Sequence, residues 1–217
     1  MIREYRTIAA EGTGEYSKER SRFLARAFPV HSQEEVDAAL ALSRRQHFDA
    51  RHHCYAWIIG TGDGPAAERA SDDGEPSGTA GKPMLTLLRS AELTDSMVLV
   101  VRYFGGTLLG TGGLVRAYTA AAREALRAAK LVRLGACDLL RLTMNYPLYD
   151  PVLAYAAGAG LAVSDVVYTE RVSLRLRVPE TQTQQRIREL TQLCLGRIEI
   201  LPEGSGVFEI DNDFSLG

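Results

Sequence analysis

Two stretches of this 217-residue chain carry side chains able to do chemistry. The first, Ser71-Asp72-Asp73-Gly74-Glu75-Pro76-Ser77-Gly78-Thr79-Ala80-Gly81-Lys82-Pro83, sets three carboxylates within four residues, beside hydroxyls and a lysine. Asp72, Asp73 and Glu75 offer the oxygen ligands a hard cation such as magnesium prefers, or paired carboxyls for acid and base work. The further ligands and closing glutamate of an EF-hand loop are absent, so turn formation and capping explain these residues more simply. Ser77, His53 and Asp72 have the composition of a nucleophile, base and orienter, but no Gly-x-Ser-x-Gly elbow surrounds Ser77. Gly81-Lys82 invites a P-loop reading that fails: Pro76 stands where the first glycine is needed and Pro83 where the hydroxyl residue is needed. Lys82 can still meet an anion as a single charge.

The second stretch is Arg102-Tyr103-Phe104-Gly105-Gly106-Thr107-Leu108-Leu109-Gly110-Thr111-Gly112-Gly113-Leu114-Val115-Arg116. It follows the apolar run Met97–Val101 and is expected to open a helix at about Gly113. Free N–H groups at a helix start form an anion site, and Gly105, Gly106, Gly110, Gly112 and Gly113 permit close approach. Thr107 and Thr111 add hydroxyls, while Arg102 and Arg116 bracket the loop with positive charge. A phosphate, from a nucleotide or an RNA backbone, is the natural guest. The competing reading is that the glycines only satisfy a tight backbone path. Neither the dinucleotide glycine pattern nor a P-loop lysine is present. Along the helix Arg116, Arg123, Arg127 and Lys130 form a cationic row, ordinarily a solvated face, of which Arg123 joins the candidate anion site. No catalytic residue, metal or cofactor is expected.

Together with His52-His53-Cys54-Tyr55-Ala56-Trp57 upstream, these segments resemble the YigZ/IMPACT family, over most of the amino-terminal half. The resemblance implies an α+β chain of two domains. Residues 1–134 would have the ribosomal protein S5 domain 2-like fold and residues 135–217 a ferredoxin-like fold, both also found in translation factors. It further implies a role in translation, since eukaryotic IMPACT relatives regulate translational control through protein partners of an amino-acid-starvation kinase pathway. Those relatives carry an additional amino-terminal domain, whereas the shared domain is expected to begin almost at once here. That partner interaction is therefore not carried over whole.

The elements that must position the two stretches follow from local pattern. Tyr5–Ala10 and Arg22–Val30 read as strands, with Glu11–Gly14 and Lys18–Arg20 as turn residues between them. Ser32 caps a helix with Glu34 and Glu35 in its first turn. His31 and His47 flank that helix as solvated or capping residues. His53–Ile59 is apolar on both faces and so a central strand, and His52 and His53 must face opposite sides. Gly60–Pro65 is a loop, Glu68–Ser71 a short strand, and Lys82–Ala91 a helix capped by Ser77 or Thr79. Met97–Arg102 is a second buried strand, and a helix follows to Lys130 with Leu114, Tyr118, Ala121, Ala125 and Leu126 in its core stripe. A boundary is placed at Arg133–Gly135. Beyond it come a strand at Asp138–Asn145, a helix at Pro147–Gly160, strands at Ala162–Thr169 and Val172–Val178, a helix at Thr181–Leu195, and strands at Ile198–Leu201 and Gly206–Ile210. That order is the split βαβ arrangement.

Composition narrows the function. With 25 Lys and Arg against 27 Asp and Glu the formal net charge is −2, so any contact with RNA needs a local patch. The basic residues are mostly arginine, the lysines being Lys18, Lys82 and Lys130. Cys54, Cys137 and Cys194 are odd in number, far apart and without Cys-x-x-Cys, against a disulfide framework or a zinc ribbon. No apolar run approaches the ~20 residues of a membrane span, and a cytoplasmic protein with no membrane partner is expected. The leading reading is a non-enzymatic translation-associated protein whose partner is RNA, the ribosome or a translation-related protein. The alternative is a phosphotransferase or hydrolase acting on a phosphorylated small molecule or nucleotide, and a pure protein-interaction module is the third. Oligomeric state is not legible in the sequence.

Overall fold

The structure, a computed structural model, describes residues 4–60 and 66–211. The chain divides into two compact units, Tyr5–Leu134 and Gly135–Ile210, the latter joined by Glu4.

The first unit is built on an antiparallel sheet of order β2-β3-β6-β4-β5, from β2 (Gly12–Lys18), β3 (Ser21–Pro29), β4 (His52–Ile59), β5 (Ala67–Ser71) and β6 (Ser96–Tyr103). β1 (Tyr5–Ala10) pairs instead with the start of β7 (Lys130–Met144). Helices α2 (Gly81–Ser90) and α3 (Gly110–Ala128) bury one face of the five-stranded sheet, with Phe23, Ala25, Cys54, Ala56, Val98 and Val100 beneath Met84, Leu88, Tyr118 and Ala121. Helix α1 (Gln33–Gln46) covers the other face, over Phe28, Trp57, Met97 and Leu99. β4 and β6 are therefore covered on both sides, which is why their sequences run apolar without alternation. Ser32 caps α1 as expected, its side chain accepting from Glu35 N at 3.3 Å.

Residues 12–18, read from sequence as largely turn, form the strand β2, because it lies directly under α3. A Cβ at Gly12 would fall 2.2 Å from Ala125 O, and one at Gly14 2.5 Å from Ala125 N. The glycines are there so that helix and strand backbones can touch, and they are not turn residues. The cationic row on α3 is likewise shortened. Lys130 lies on β7, beyond the helix end, and Arg127, though exposed, donates to Glu124 at 3.1 Å, leaving Arg116 and Arg123 as the exposed helical members outside any ion pair among the described residues.

The second unit runs β7, α4 (Tyr149–Gly158), β8 (Ala162–Tyr168), β9 (Val172–Pro179), α5 (Thr183–Leu193) and β10 (Ile198–Asp211). Its strands lie in the order β10-β7-β9-β8, and both helices pack Val152, Ala156, Leu190 and Cys194 into one core with Leu140, Leu142, Leu174 and Leu176. This is the split βαβ arrangement. The chain is thus α+β, an S5 domain 2-like unit followed by a ferredoxin-like one. Two local expectations change. The two closing strands are one continuous β10, and the strand expected at Asp138–Asn145 starts at Lys130, so that residues 133–135, where the two units divide, lie inside β7. Of the expected loop at Gly60–Pro65, all but Gly60 lies outside the described residues.

Gly12→Ala should unfold or strongly loosen the first unit, costing about 3 kcal/mol or more, because the added methyl meets backbone that cannot rotate away. Urea denaturation of the variant checks this, with Gly158→Ala, where nothing lies within 4 Å of the added Cβ and the backbone is helical, as the control for glycine replacement.

Candidate functional site

One end of the first sheet gathers four connections: the β2–β3 turn, the α1–β4 turn, the β5–α2 loop and the β6–α3 loop. The register places them there, since His52 at the start of β4 pairs with Arg102 at the end of β6, and Tyr103 pairs with Arg22 at the start of β3. Both chemically interesting stretches are therefore neighbours.

The β5–α2 loop is held by its own carboxylates. Asp72 accepts from the backbone N–H groups of Gly78, Ala80 and Gly81 at 2.8, 2.9 and 2.8 Å. It thereby performs the capping of α2 expected of Ser77 or Thr79; the helix has Ala80 at its cap position and no local side-chain cap. Burial pushes the Asp72 carboxyl up, but the three N–H donors outweigh it and hold the group below its ordinary value. Asp73 accepts from His53 N at 2.7 Å and pairs with Arg44 at 3.0 Å. Both aspartates thus hold backbone in place. Ser77 is exposed, and His53 is buried on the α1 face with Nδ1 3.0 Å from Ser43 Oγ, so Ser77, His53 and Asp72 do not form a triad. Burial, then the nearby Arg44, lowers the His53 pKa. Lys82 is exposed on the first turn of α2.

Glu75 turns inward. Its side chain is 4% exposed, and Oε1 accepts from Arg102 Nη1 at 2.6 Å and from the Tyr118 hydroxyl at 2.8 Å. The Arg102 side chain is 6% exposed, and its guanidinium carbon lies 5.4 Å from the ring centroids of both Phe23 and Phe104. Beneath them Cys54 Sγ lies 3.3 Å from the Tyr118 hydroxyl; burial raises both pKa values well above their ordinary ranges, so neither group ionises at neutral pH. The site's lone thiol is therefore a packing group and not a nucleophile.

Above this ion pair opens a cavity of about 380 Å³. Glu75 and Pro76 border it from one loop, Phe104, Leu108 and Leu109 from the other, Gly110 and Thr111 from α3, and Arg51 and His52 from the α1–β4 turn and β4. His52 Nδ1 lies 2.9 Å from the Asp73 carbonyl, an acceptor only, so this nitrogen carries the proton. A second cavity of about 330 Å³, across Leu108 and Leu109, is bordered by Lys18, Thr107, Gly113 and Arg116. Arg102 and Arg116 thus border different cavities and do not converge on one.

Helix α3 starts at Gly110, three residues before its expected start, so Gly110, Gly112 and Gly113 belong to its first turn and only Gly105, Gly106 and Thr107 to the loop. Gly105 is required by packing: a Cβ would lie 2.1 Å from Arg20 C. Gly112 is not, for the nearest atom to its Cβ would be the flexible Arg116 Nη1 at 3.6 Å. The helix has no side-chain cap and no acidic residue in its first turn. Its leading N–H groups consequently face solvent between the two cavities.

Residues 19–126 match the Impact N-terminal domain and residues 142–197 a domain of unknown function, DUF1949. The IMPACT family member YvyE of Bacillus subtilis strain 168 is 32% identical over 200 residues, 92% of this chain and 91% of that protein. The chain belongs to the IMPACT family. YigZ of Escherichia coli K12, another IMPACT family member, is 35% identical over 84% of this chain and 89% of its own length. A crystal structure of a hypothetical protein superimposes with TM-score 0.59 at 33% identity, covering 93% of this chain and 98% of that one. In the sequence of this IMPACT family member the glycines, arginines and carboxylates stand out. Reading them did not find Phe104, Leu108, Arg51, His52 or Tyr118 at the site. The available signal was the pair of large apolar residues, Phe104 and Leu108, inside an otherwise polar glycine loop. Among the described residues no group of three or more His, Cys, Asp or Glu is placed to hold a metal, and no helix is long and apolar enough to cross a membrane.

Asp72→Ala should cost about 1–3 kcal/mol by stranding three backbone donors at the start of α2. Because the Asp72 pKa is depressed in the folded state, its stabilisation is complete above the unfolded carboxyl pKa and is lost as pH falls through the folded one. The variant's stability should therefore fall less steeply in acid than that of the unsubstituted protein, as read by urea melts between neutral pH and pH about 3.

Proposed function

We propose that this IMPACT family chain is a non-enzymatic binding protein of translational regulation that grips the phosphate backbone of RNA at the start of α3. The reading is carried by one observation: a 19-residue helix begins with neither a capping side chain nor an acidic residue, and Arg116 stands exposed beside it. The N–H groups of such a terminus attract an anion, and Arg116 with Lys18 adds charge at the adjoining cavity. Arg123 lies seven residues further along the same helical face, about 10 Å away and close to the next phosphates of a strand. Lys82, Thr107 and Thr111 flank this end of the unit as lesser contacts. The role in translation comes from the family resemblance of the two loops.

A binding role fits the state of the acidic residues. Asp72 and Asp73 are committed to backbone donors and Glu75 to Arg102 and Tyr118, so none is poised as an acid or base. Gly112 supports the same reading. A glycine inside a helix costs roughly 0.5–1 kcal/mol relative to alanine, and here no neighbouring atom requires it. Its bare backbone leaves the first turn open to a ligand.

The double variant Arg116→Glu, Arg123→Glu should remain folded and lose salt-sensitive co-sedimentation with ribosomes or RNA; unchanged binding would remove the phosphate site from α3. Gly112→Ala should have the opposite effects on stability and binding. It should gain about 0.5–1 kcal/mol in urea denaturation and bind RNA more weakly, whereas a purely structural glycine would leave binding unaltered.

A further inference from the structure

The larger cavity has a polarity that the phosphate site alone does not explain. Its floor is an acceptor: Glu75 Oε1 takes both the Arg102 and the Tyr118 hydrogen bonds, and no donor among the described residues reaches Oε2. The carboxylate borders the cavity beside the Arg102 guanidinium, and its second oxygen, still in touch with the cavity's solvent, can accept a donor from whatever enters. The walls are flat and apolar. Phe104 is 52% exposed and Leu108 87% exposed, an unusual outlay of large apolar side chains on a polar loop. The rim is cationic, with exposed Arg51 on one side and the uncapped N–H groups of Gly110 and Thr111 on another.

We propose that this cavity holds a guanine nucleotide, with the base between Phe104 and Leu108, its N–H edge on Glu75 and its phosphate at the start of α3. The proposal rests on the reading of the α3 terminus as a phosphate site and names the base that accompanies that phosphate. A volume of about 380 Å³ lies at the lower end of small-molecule sites, of order 300–1,000 Å³, and suits one nucleotide. Aromatic faces stack on any base, so Phe104 gives affinity and not choice. Choice comes from the floor. Guanine alone has two adjacent donors, N1–H and the 2-amino group, which can converge on the one open oxygen, Oε2, without an acceptor facing it, next to an O6 acceptor for a guanidinium such as Arg51. Adenine and cytosine would turn a ring-nitrogen acceptor toward the carboxylate, and uracil a carbonyl on either side of its single N–H.

The test is calorimetric titration of the full chain with GMP, AMP, CMP and UMP, and with short single-stranded oligoribonucleotides identical except for one guanosine. The expected result is a preference for guanine of about tenfold or more. Phe104→Ala should weaken all ligands by about tenfold. Arg51→Ala, at an exposed position, should reduce the preference by the loss of the O6 contact without endangering the fold. Glu75→Gln, which keeps an acceptor for Tyr118, should abolish the preference where circular dichroism shows it folded. Preference seen with GMP itself identifies a free nucleotide as ligand; preference seen only in oligonucleotides identifies a residue of an RNA strand. Equal binding of all four bases, no binding of any, or a guanine preference unchanged in Arg51→Ala or in the folded Glu75→Gln overturns the proposal. Loss of co-sedimentation in the Arg116, Arg123 variant without any base preference would leave the phosphate site standing and remove the guanine site alone.

Discussion

The ion pair between Glu75 and Arg102 is the interaction on which the site depends. Both side chains are nearly shut off from water, so neither can be there alone: an uncompensated buried charge costs several kcal/mol, and removing one partner typically costs about 3–5 kcal/mol. The pair therefore ties the β5–α2 loop to the end of β6 as a unit. Tyr118 adds α3 to the same carboxylate oxygen, and Cys54 brings β4 beneath it. Four elements of one sheet end are thus fixed relative to each other by a few polar atoms in a place of low dielectric, where hydrogen bonds are strong and unmade ones expensive.

This arrangement explains how long polar loops keep a definite shape. The β5–α2 loop buries little apolar surface, and its ordering entropy is offset by Asp72, which satisfies three backbone donors, and by Asp73, which satisfies a fourth on β4. The β6–α3 loop is set by close backbone approach at Gly105 and by Phe104 lying over Arg102. Residues with the chemical look of a catalytic set are spent on architecture. What is left open is the start of α3 and one face of Glu75, and these are the groups on which the proposed binding rests.

Family membership and fold agree with this division of labour. The match to the Impact N-terminal domain, residues 19–126, includes the loops, Glu75, Arg102 and α3, while the split βαβ unit matches a domain to which no function is attached. The candidate chemistry is thus concentrated in the first unit.

The order of elements was legible in the sequence because it rests on local rules. Continuous apolar runs marked β4 and β6 as covered on both faces, Ser32 with its following glutamates marked the start of α1, and the carboxy-terminal alternation of strands and helices marked the split βαβ unit. The glycine loop and the acidic loop were also recognisable as the site's raw material. Their roles were not, because each depends on partners distant in the chain. Gly12 reads as a turn residue until α3 is laid across it. Asp72 reads as a ligand until it is seen to cap a helix eight residues on. Arg102 reads as a free cation until Glu75 neutralises it, and Tyr118 reads as a core residue until its hydroxyl meets that carboxylate. Side-chain type and spacing specify what a group is able to do; which of its options is already taken is decided by residues that only the folded chain brings within hydrogen-bonding distance.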